Sequence, residues 1–279
     1  MKRKKRIRTA AKAVGCAVLL MISLFPIYWL LAMAIRPTDE MRGHIALIPQ
    51  SLTGMHFAQL FTSENFGQAI MNSLQTTFGS LIISLLAGIC AAYVIARRRF
   101  RFGLKKPMTY WVLLVRVLPP VAFTIPLYIM FNRLGVLNTK LPVMLACVLI
   151  NVPLIIWFLI SFFQDLPEEI EESAKVDGAT EWQLFCKIVL PLVAPGIAAV
   201  SMLSFMYAWN EYTYTVIFTR IPANNTVPLA LALLNTEDNL TNFGLVAAGG
   251  VISVIPITLC VIFAQNYLIS GLSSGAVKE

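Results

Sequence analysis

Charged residues in this chain are clustered, and long apolar stretches lie between the clusters. Six stretches reach the roughly 20 residues that a helix needs to cross a hydrocarbon core. They run from about Ala13 to Ile35, Leu74 to Ala96, Met108 to Phe131, Leu141 to Phe163, Ala194 to Phe218 and Gly244 to Ile269. Backbone amides and carbonyls find no water inside a bilayer, so each crossing segment must pair its own groups as a helix. The expected fold class is therefore an all-α integral membrane protein with six transmembrane helices. Residues 1–12 form a basic segment ahead of the first run, and residues 13–279 form the transmembrane domain.

The basic residues between the runs predict the orientation, because Lys and Arg accumulate on the cytoplasmic side. The first 12 residues carry seven, and the stretch RRRFRFGLKK between the second and third runs carries six. Lys175, Lys187 and Lys278 fall on the same side, for sixteen in all; the other side has Arg36, Arg42, Arg133, Lys140 and Arg220. Both termini are expected in the cytoplasm. A secretory leader is the alternative for the first run, with Ala32-Met33-Ala34 as its cleavage site. The run exceeds the roughly 7–15 residues of a leader's apolar region, and its removal would break the charge pattern.

Composition agrees with a bilayer as solvent. The 279 residues are 58% hydrophobic and 13% charged, against about 45–50% and about 25% in soluble domains. The net charge of +8 sits in short blocks beside apolar runs rather than on one basic face, which argues against nucleic acid. Cys16, Cys90, Cys147 and Cys260 lie in apolar runs and Cys186 in a polar loop, without metal-ligand or redox spacing. The triplets Asn224-Asn225-Thr226 and Asn239-Leu240-Thr241 match glycosylation acceptors, a pattern short enough to arise by chance.

One loop breaks the charge rule. Residues 164–191, expected in the cytoplasm, hold two basic and seven acidic residues: Asp165, Glu168, Glu169, Glu171, Glu172, Asp177 and Glu181. Acidic residues contribute little to topology, so the loop is free to serve another purpose. Its local signals predict two short helices. Asp165 and Glu168 have capping-box spacing, with Pro167 tolerated in the first turn. The glutamates suit the positive end of a helix, Ile170, Ala174 and Val176 give it an apolar side, and Gly178 supplies a stop. Thr180 and Gln183 form a second capping box. Trp182, Phe185, Ile188 and Val189 follow at helical spacing, and Pro191 is expected to end the unit before the fifth span. Either the loop is a solvated amphipathic surface or its apolar side docks against something.

The same residues resemble the signature of binding-protein-dependent ABC importer permeases: Glu-Ala-Ala, three residues, Gly, nine residues, then Ile-x-Leu-Pro. Here Glu172-Ser173-Ala174 leads to Gly178 and, nine residues later, to Ile188-Val189-Leu190-Pro191, with Ser173 the one departure. Arg116, Pro119-Pro120, Pro126-Leu127-Tyr128, Leu134-Gly135, Asn138, Trp209-Asn210 and the closing stretch 271–278 look like carbohydrate-uptake members, nearest the six-span maltose-type permease. The resemblance implies a permease subunit forming half of a pore in a bacterial or archaeal cytoplasmic (inner) membrane. It implies a second, related permease chain, two ATPase subunits and an extracytoplasmic sugar-binding protein docking on Arg36 to about Ala69 and Thr219 to about Phe243. The loop would be a coupling helix seated on the ATPase, with Glu172, Ser173, Ala174, Gly178, Ile188, Leu190 and Pro191 shaping it.

No phosphate-cradling G-x-x-x-x-G-K-[ST] occurs in the chain. ATP and Mg are therefore expected in the separate ATPase, with no cofactor bound here and no enzymatic activity. Ionisable and amide groups at membrane depth are costly and mark function by default; these are Arg116, Asn151, Asn210 and Glu211. Tyr207, Trp209, Tyr212 and Tyr214 surround Asn210, and aromatic faces beside amides suit sugars. A substrate path through Arg116, Asn151, Trp209, Asn210 and Glu211 is one reading; packing between helices is the other. Pro119, Pro120 and Pro126 are expected bends in the third span. Alternatives to sugar are a polyol or glycerol phosphate. A stand-alone secondary transporter would carry internal repeats, and a membrane enzyme would need a constellation that His44 and His56, alone in one outer loop, do not make.

Overall fold

The computed structural model describes residues 2–41, 46–97, 105–234 and 243–276, and all regular structure among them is helical. Arg42, His44, most of the basic block at 98–104, Asn239 and Lys278 lie outside the described residues. The helices are α1 (Lys2–Ala34), α2 (Met55–Thr62), α3 (Phe66–Ala96), α4 (Lys105–Val117), α5 (Thr124–Arg133), α6 (Leu141–Gln164), α7 (Glu168–Val176), α8 (Glu181–Gln183), α9 (Leu190–Trp209), α10 (Thr213–Phe218), α11 (Val227–Leu234) and α12 (Phe243–Ala276). Among the described residues, five helical stretches are long and apolar enough to cross a membrane, and a sixth results if α4 and α5 count as one broken span.

The first, second, fourth and sixth apolar runs are each covered by one helix. The third is not continuous: the halves Lys106–Val117 and Pro120–Arg133 meet at 97°. Pro119 has ψ 136, and the adjacent prolines bring no N–H to continue the helical ladder while pushing the preceding residue out of helical space. Pro126 lies in the first turn of α5, where its missing donor matters least. The fifth run also divides. α9 stops at Trp209, and α10 begins again at Thr213.

The chain separates into two compact units. One comprises residues 1–67 and 230–255, the other residues 68–229 and 256–279. In the first, Met33, Ala34, Met41, Ala247 and Ala248 form a core flanked by Trp29, Leu30, Phe57 and Val251. Buried His56 sets its Nε2 2.9 Å from the Arg36 carbonyl, and the absence of a side chain on Gly244 leaves room for the imidazole.

The second unit is built around α6, which packs along α9 and α4. Between lipid-covered helices there is no water to expel, so close contact of small surfaces does the holding. A Cβ on Gly88 would come within 2.6 Å of Ile155, and one on Gly196 within 2.6 Å of Phe162. Along α3, Asn72, Ser73, Thr76, Thr77, Ser80 and Ser84 are buried, and Ala92 and Ile95 continue the buried face toward the C-terminal end.

Candidate functional site

The loop between α6 and α9 is an elbow of two helical arms. α7 ends in a Schellman turn: Ala179 N donates to the Ala174 carbonyl and Gly178 N to the Lys175 carbonyl, both at 3.0 Å. That turn needs a left-handed residue, and Gly178 has φ +84. A Cβ there would touch nothing within the chain, so glycine is required for backbone conformation rather than for space. The second arm starts with a complete capping box. Gln183 N donates to Thr180 Oγ1 at 3.3 Å, and Thr180 N donates to Gln183 Oε1 at 3.0 Å. Lys175 Nζ lies 3.3 Å from Glu181 Oε1 and bridges the arms at the surface.

Two local expectations need correction. Asp165 is the C-cap of α6, and Pro167 rather than Asp165 occupies the N-cap of α7. Pro191 does not end the second arm. Leu184–Val189 forms a π-helical stretch in which Leu190 N donates to the Phe185 carbonyl, and helix continues from Glu181 to Trp209. Proline at the second position of α9 is tolerated because the wide turn before it has already released the usual hydrogen-bond register.

The elbow has distinct inner and outer sides. Ala174, Leu184 and Val189 are buried with Ile95, Leu159 and Phe163 in one apolar core, against which Leu166, Ala179 and Ile188 also pack. Its apolar side thus docks on the chain's own spans. Glu172, Ser173, Gly178 and Pro191 are exposed, and Ile188 and Leu190 are half-buried. Val176 is 88% and Trp182 72% exposed, leaving two large apolar side chains on the outer side, where Trp182 rests near the Phe185 ring at 6.2 Å.

The inner side also holds charges that sequence reasoning passed over. Arg97 Nε lies 2.7 Å from Glu171 Oε1, and both residues are buried, at 8% and 6% exposure. Arg97 Nη1 donates to the Leu166 carbonyl at 3.3 Å and Tyr93 Oη to Glu171 Oε1 at 3.4 Å. The Tyr93 ring meets Phe163 at 5.5 Å and Phe185 at 4.9 Å. A readable signal existed: Glu171 precedes the apolar Ala174 by three residues and so shares its face, while Arg97, the residue after α3, follows Tyr93 by one turn.

The membrane-depth residues fall into different surroundings. Glu211 is buried and accepts hydrogen bonds from Tyr214 N at 2.7 Å, Thr215 N at 3.1 Å and Thr215 Oγ1 at 3.0 Å. Its carboxylate caps the first turn of α10 and competes with helical carbonyls for those amides, which explains the division of the fifth run. Asn151 is buried and donates to the Ser204 carbonyl at 3.3 Å. Trp209 is buried with its ring stacked on Phe205 at 6.0 Å. Asn210 is exposed, its amide donating to the Met206 carbonyl at 2.8 Å. Arg116 is exposed and sits over the Trp157 ring at 4.9 Å, one residue before α4 ends.

The far end of this unit is tied by amides. Asn72 Nδ2 donates to the carbonyls of Ala223 and Asn225 at 2.8 and 2.9 Å, and Ser73 Oγ accepts from Val227 N at 2.8 Å. Asn138, in the left-handed region at φ 62, accepts from Arg220 N at 2.8 Å through its side chain and donates its own N–H to the Phe218 carbonyl at 2.9 Å. Tyr214 Oη donates to the Pro120 carbonyl at 2.8 Å, closing the break between α4 and α5.

A sequence profile of the binding-protein-dependent transport system inner membrane component matches residues 84–274, including the elbow and both its arms. The chain belongs to this family. Among its relatives, the trehalose transport system permease protein of Mycobacterium tuberculosis is 31% identical over 92% of this chain and 93% of its own length. The arabinooligosaccharides transport system permease protein of Halalkalibacterium halodurans is 32% identical with both chains fully covered. The trehalose/maltose permease of Thermococcus litoralis is 27% identical over 99% of each. The fold is that of a chain in a bacterial ABC transporter involved in alginate import, with TM-score 0.80, 21% identity and coverage of 95% and 98%. As a member of this inner-membrane permease family, with several spanning helices, the chain is a multi-pass membrane protein.

Proposed function

We propose that the chain is a permease subunit of an ATP-driven, binding-protein-dependent importer for a sugar or oligosaccharide. The names of its relatives support the solute class, with trehalose, arabinooligosaccharides and diacetylchitobiose among them. In this reading it supplies half of the pore beside a related second permease, has six spans with both termini in the cytoplasm, and receives solute from an extracytoplasmic binding protein. Two ATPase subunits use the ATP and Mg; this chain binds no cofactor.

The observation that carries the coupling role is the outer side of the elbow. Glu172, Ser173, Val176 and Trp182 stand exposed around a turn whose geometry is fixed by Gly178 and by the capping box at Thr180. The exposed Val176 and Trp182 are apolar surface that a groove on an ATPase would cover. Ala174 then serves by letting α7 approach the spans, and Ile188, Leu190 and Pro191 by joining the elbow to α9. For the solute, Arg116 and Asn210 have the exposure to reach it. Asn151, Trp209 and Glu211 form the supporting wall behind.

The test is purification from the native membrane followed by uptake in proteoliposomes. The ATPase chains and a second permease should copurify, and Gly178→Val should lower uptake about tenfold at unchanged expression, because a β-branched residue resists a left-handed backbone. Uptake by the lone chain without ATP would replace this reading with a secondary transporter.

A further inference from the structure

We propose that Arg97 and Glu171, with the Tyr93 hydroxyl, form a strut that makes α7 and the end of α3 move as one body. Displacement received at the elbow then enters α3 directly. The proposal rests on the coupling reading of the elbow and names the positioning residues through which coupling acts.

Three observations converge on the turn that closes α3, from Tyr93 to Arg97. First, Arg97 Nε and Glu171 Oε1 stand 2.7 Å apart with both side chains buried. Apolar faces slide past one another with little change in contact, but a buried ion pair cannot. Moving either charge strands the other without compensation, which is strongly unfavourable. Second, the Arg97 guanidinium also donates to the Leu166 carbonyl, at the point where the chain leaves α6 for α7. The pair is therefore anchored along two directions. Third, Tyr93, one turn earlier, donates to the same Glu171 oxygen and sets its ring against Phe163 of α6 and Phe185 of the second arm. This single turn of α3 thus touches the start of the elbow, its first arm and its second arm.

An apolar core already surrounds the pair, and hydrophobic residues of similar volume would hold α7 in place about as well. What the charges add is resistance to shear between α7 and α3. That property matters where a load passes through the contact.

The experiment uses the whole transporter, reconstituted with its ATPase chains, second permease and binding protein, and measures solute imported per ATP hydrolysed. Glu171→Gln keeps the shape and removes the charge. It should lower that ratio about tenfold, within the range of coupling effects between sites, while the complex stays assembled and ATP hydrolysis continues. The exchange Arg97→Glu with Glu171→Arg should recover part of the ratio, which lost packing alone would not do. A second measurement needs no change in the strut. Spin labels at Glu169→Cys, exposed on α7, and at the exposed Cys90 of α3, with the other cysteines replaced by alanine, should keep their separation within about 1 Å between nucleotide-free and ATP-trapped states. A ratio within twofold of the natural protein in Glu171→Gln overturns the strut, as does a change of label separation above about 3 Å, beyond ordinary helix shifts. If Glu171→Gln does not assemble, the label separation decides alone. Failure of ATPase chains to copurify with the natural protein would instead remove the coupling reading itself.

Discussion

At one end of α3, Tyr93 and Arg97 hold an elbow whose arms are helices; at the other, Asn72 and Ser73 hold the stretch from Ala223 to Val227, which is mostly without regular helix. The helical arms pair most of their own backbone groups, so this end of α3 supplies one ion pair, one hydroxyl, aromatic contacts and a single hydrogen bond to backbone, from Arg97 to the carbonyl of non-helical Leu166. The irregular stretch exposes amides and carbonyls that find no partner within it. There, α3 must supply hydrogen bonds to the backbone itself, and it does so with an asparagine and a serine. In an apolar environment the state of the backbone thus dictates the chemistry of the residues that hold it.

This contrast can be broken from either side. The largest effect is expected at Asn72→Leu, which removes two part-buried hydrogen bonds to the Ala223 and Asn225 carbonyls at about 1–1.5 kcal/mol each. It should lower the thermal unfolding midpoint of the detergent-solubilised protein, and an unchanged midpoint would mean that the segment is held elsewhere. Glu211→Leu comes second, at about 2 kcal/mol, because two amides and a hydroxyl lose their acceptor while the burial of a carboxylate is relieved. Glu211→Gln should retain more than half of that stability; if it unfolds as early as the leucine variant, the carboxylate charge rather than the cap is what counts. The smallest effect belongs to the elbow. Thr180→Ala removes a cap worth about 1 kcal/mol, read as faster amide exchange at Gln183 with the global midpoint nearly unmoved. Faster exchange throughout α9 would show that the cap supports the span and not just the turn.

How far each end was legible follows from the same physics. The elbow is written in local code. Glycine at position 178, Thr180 and Gln183 three apart, and the family signature all lie within 20 residues, so its turn, its second cap and its family follow from reading along the chain. The false capping box at Asp165 shows the limit of spacing alone, since Pro167 sat closer to the helix start. Pro191 misled for a related reason: a proline ends a helix only when the turn before it keeps regular register, and the π-helical stretch before it does not. The amide-tied end was not legible. Asn72 and Ser73 stand just ahead of an apolar run whose first turns are themselves rich in small polar residues, and their partners lie about 150 residues away. Glu211 was singled out for its cost at membrane depth, but nothing in its position announced that its partners would be the amides three and four residues on. Glu171 differs from these: its spacing of three from Ala174 marks it, rather than its neighbour Glu172, as the glutamate that turns inward.

The uninterrupted helix from the capping box at Thr180 to Trp209 has a mechanical consequence. Its 29 residues make a rod about 43 Å long. Pivoting such a rod by about 5° carries its tip through about 4 Å, more than the width of a water molecule. The tip is where Asn210 and the cap from Glu211 begin, so under the proposed coupling a slight nudge at the elbow would reach the far end of this helix as a displacement of that size.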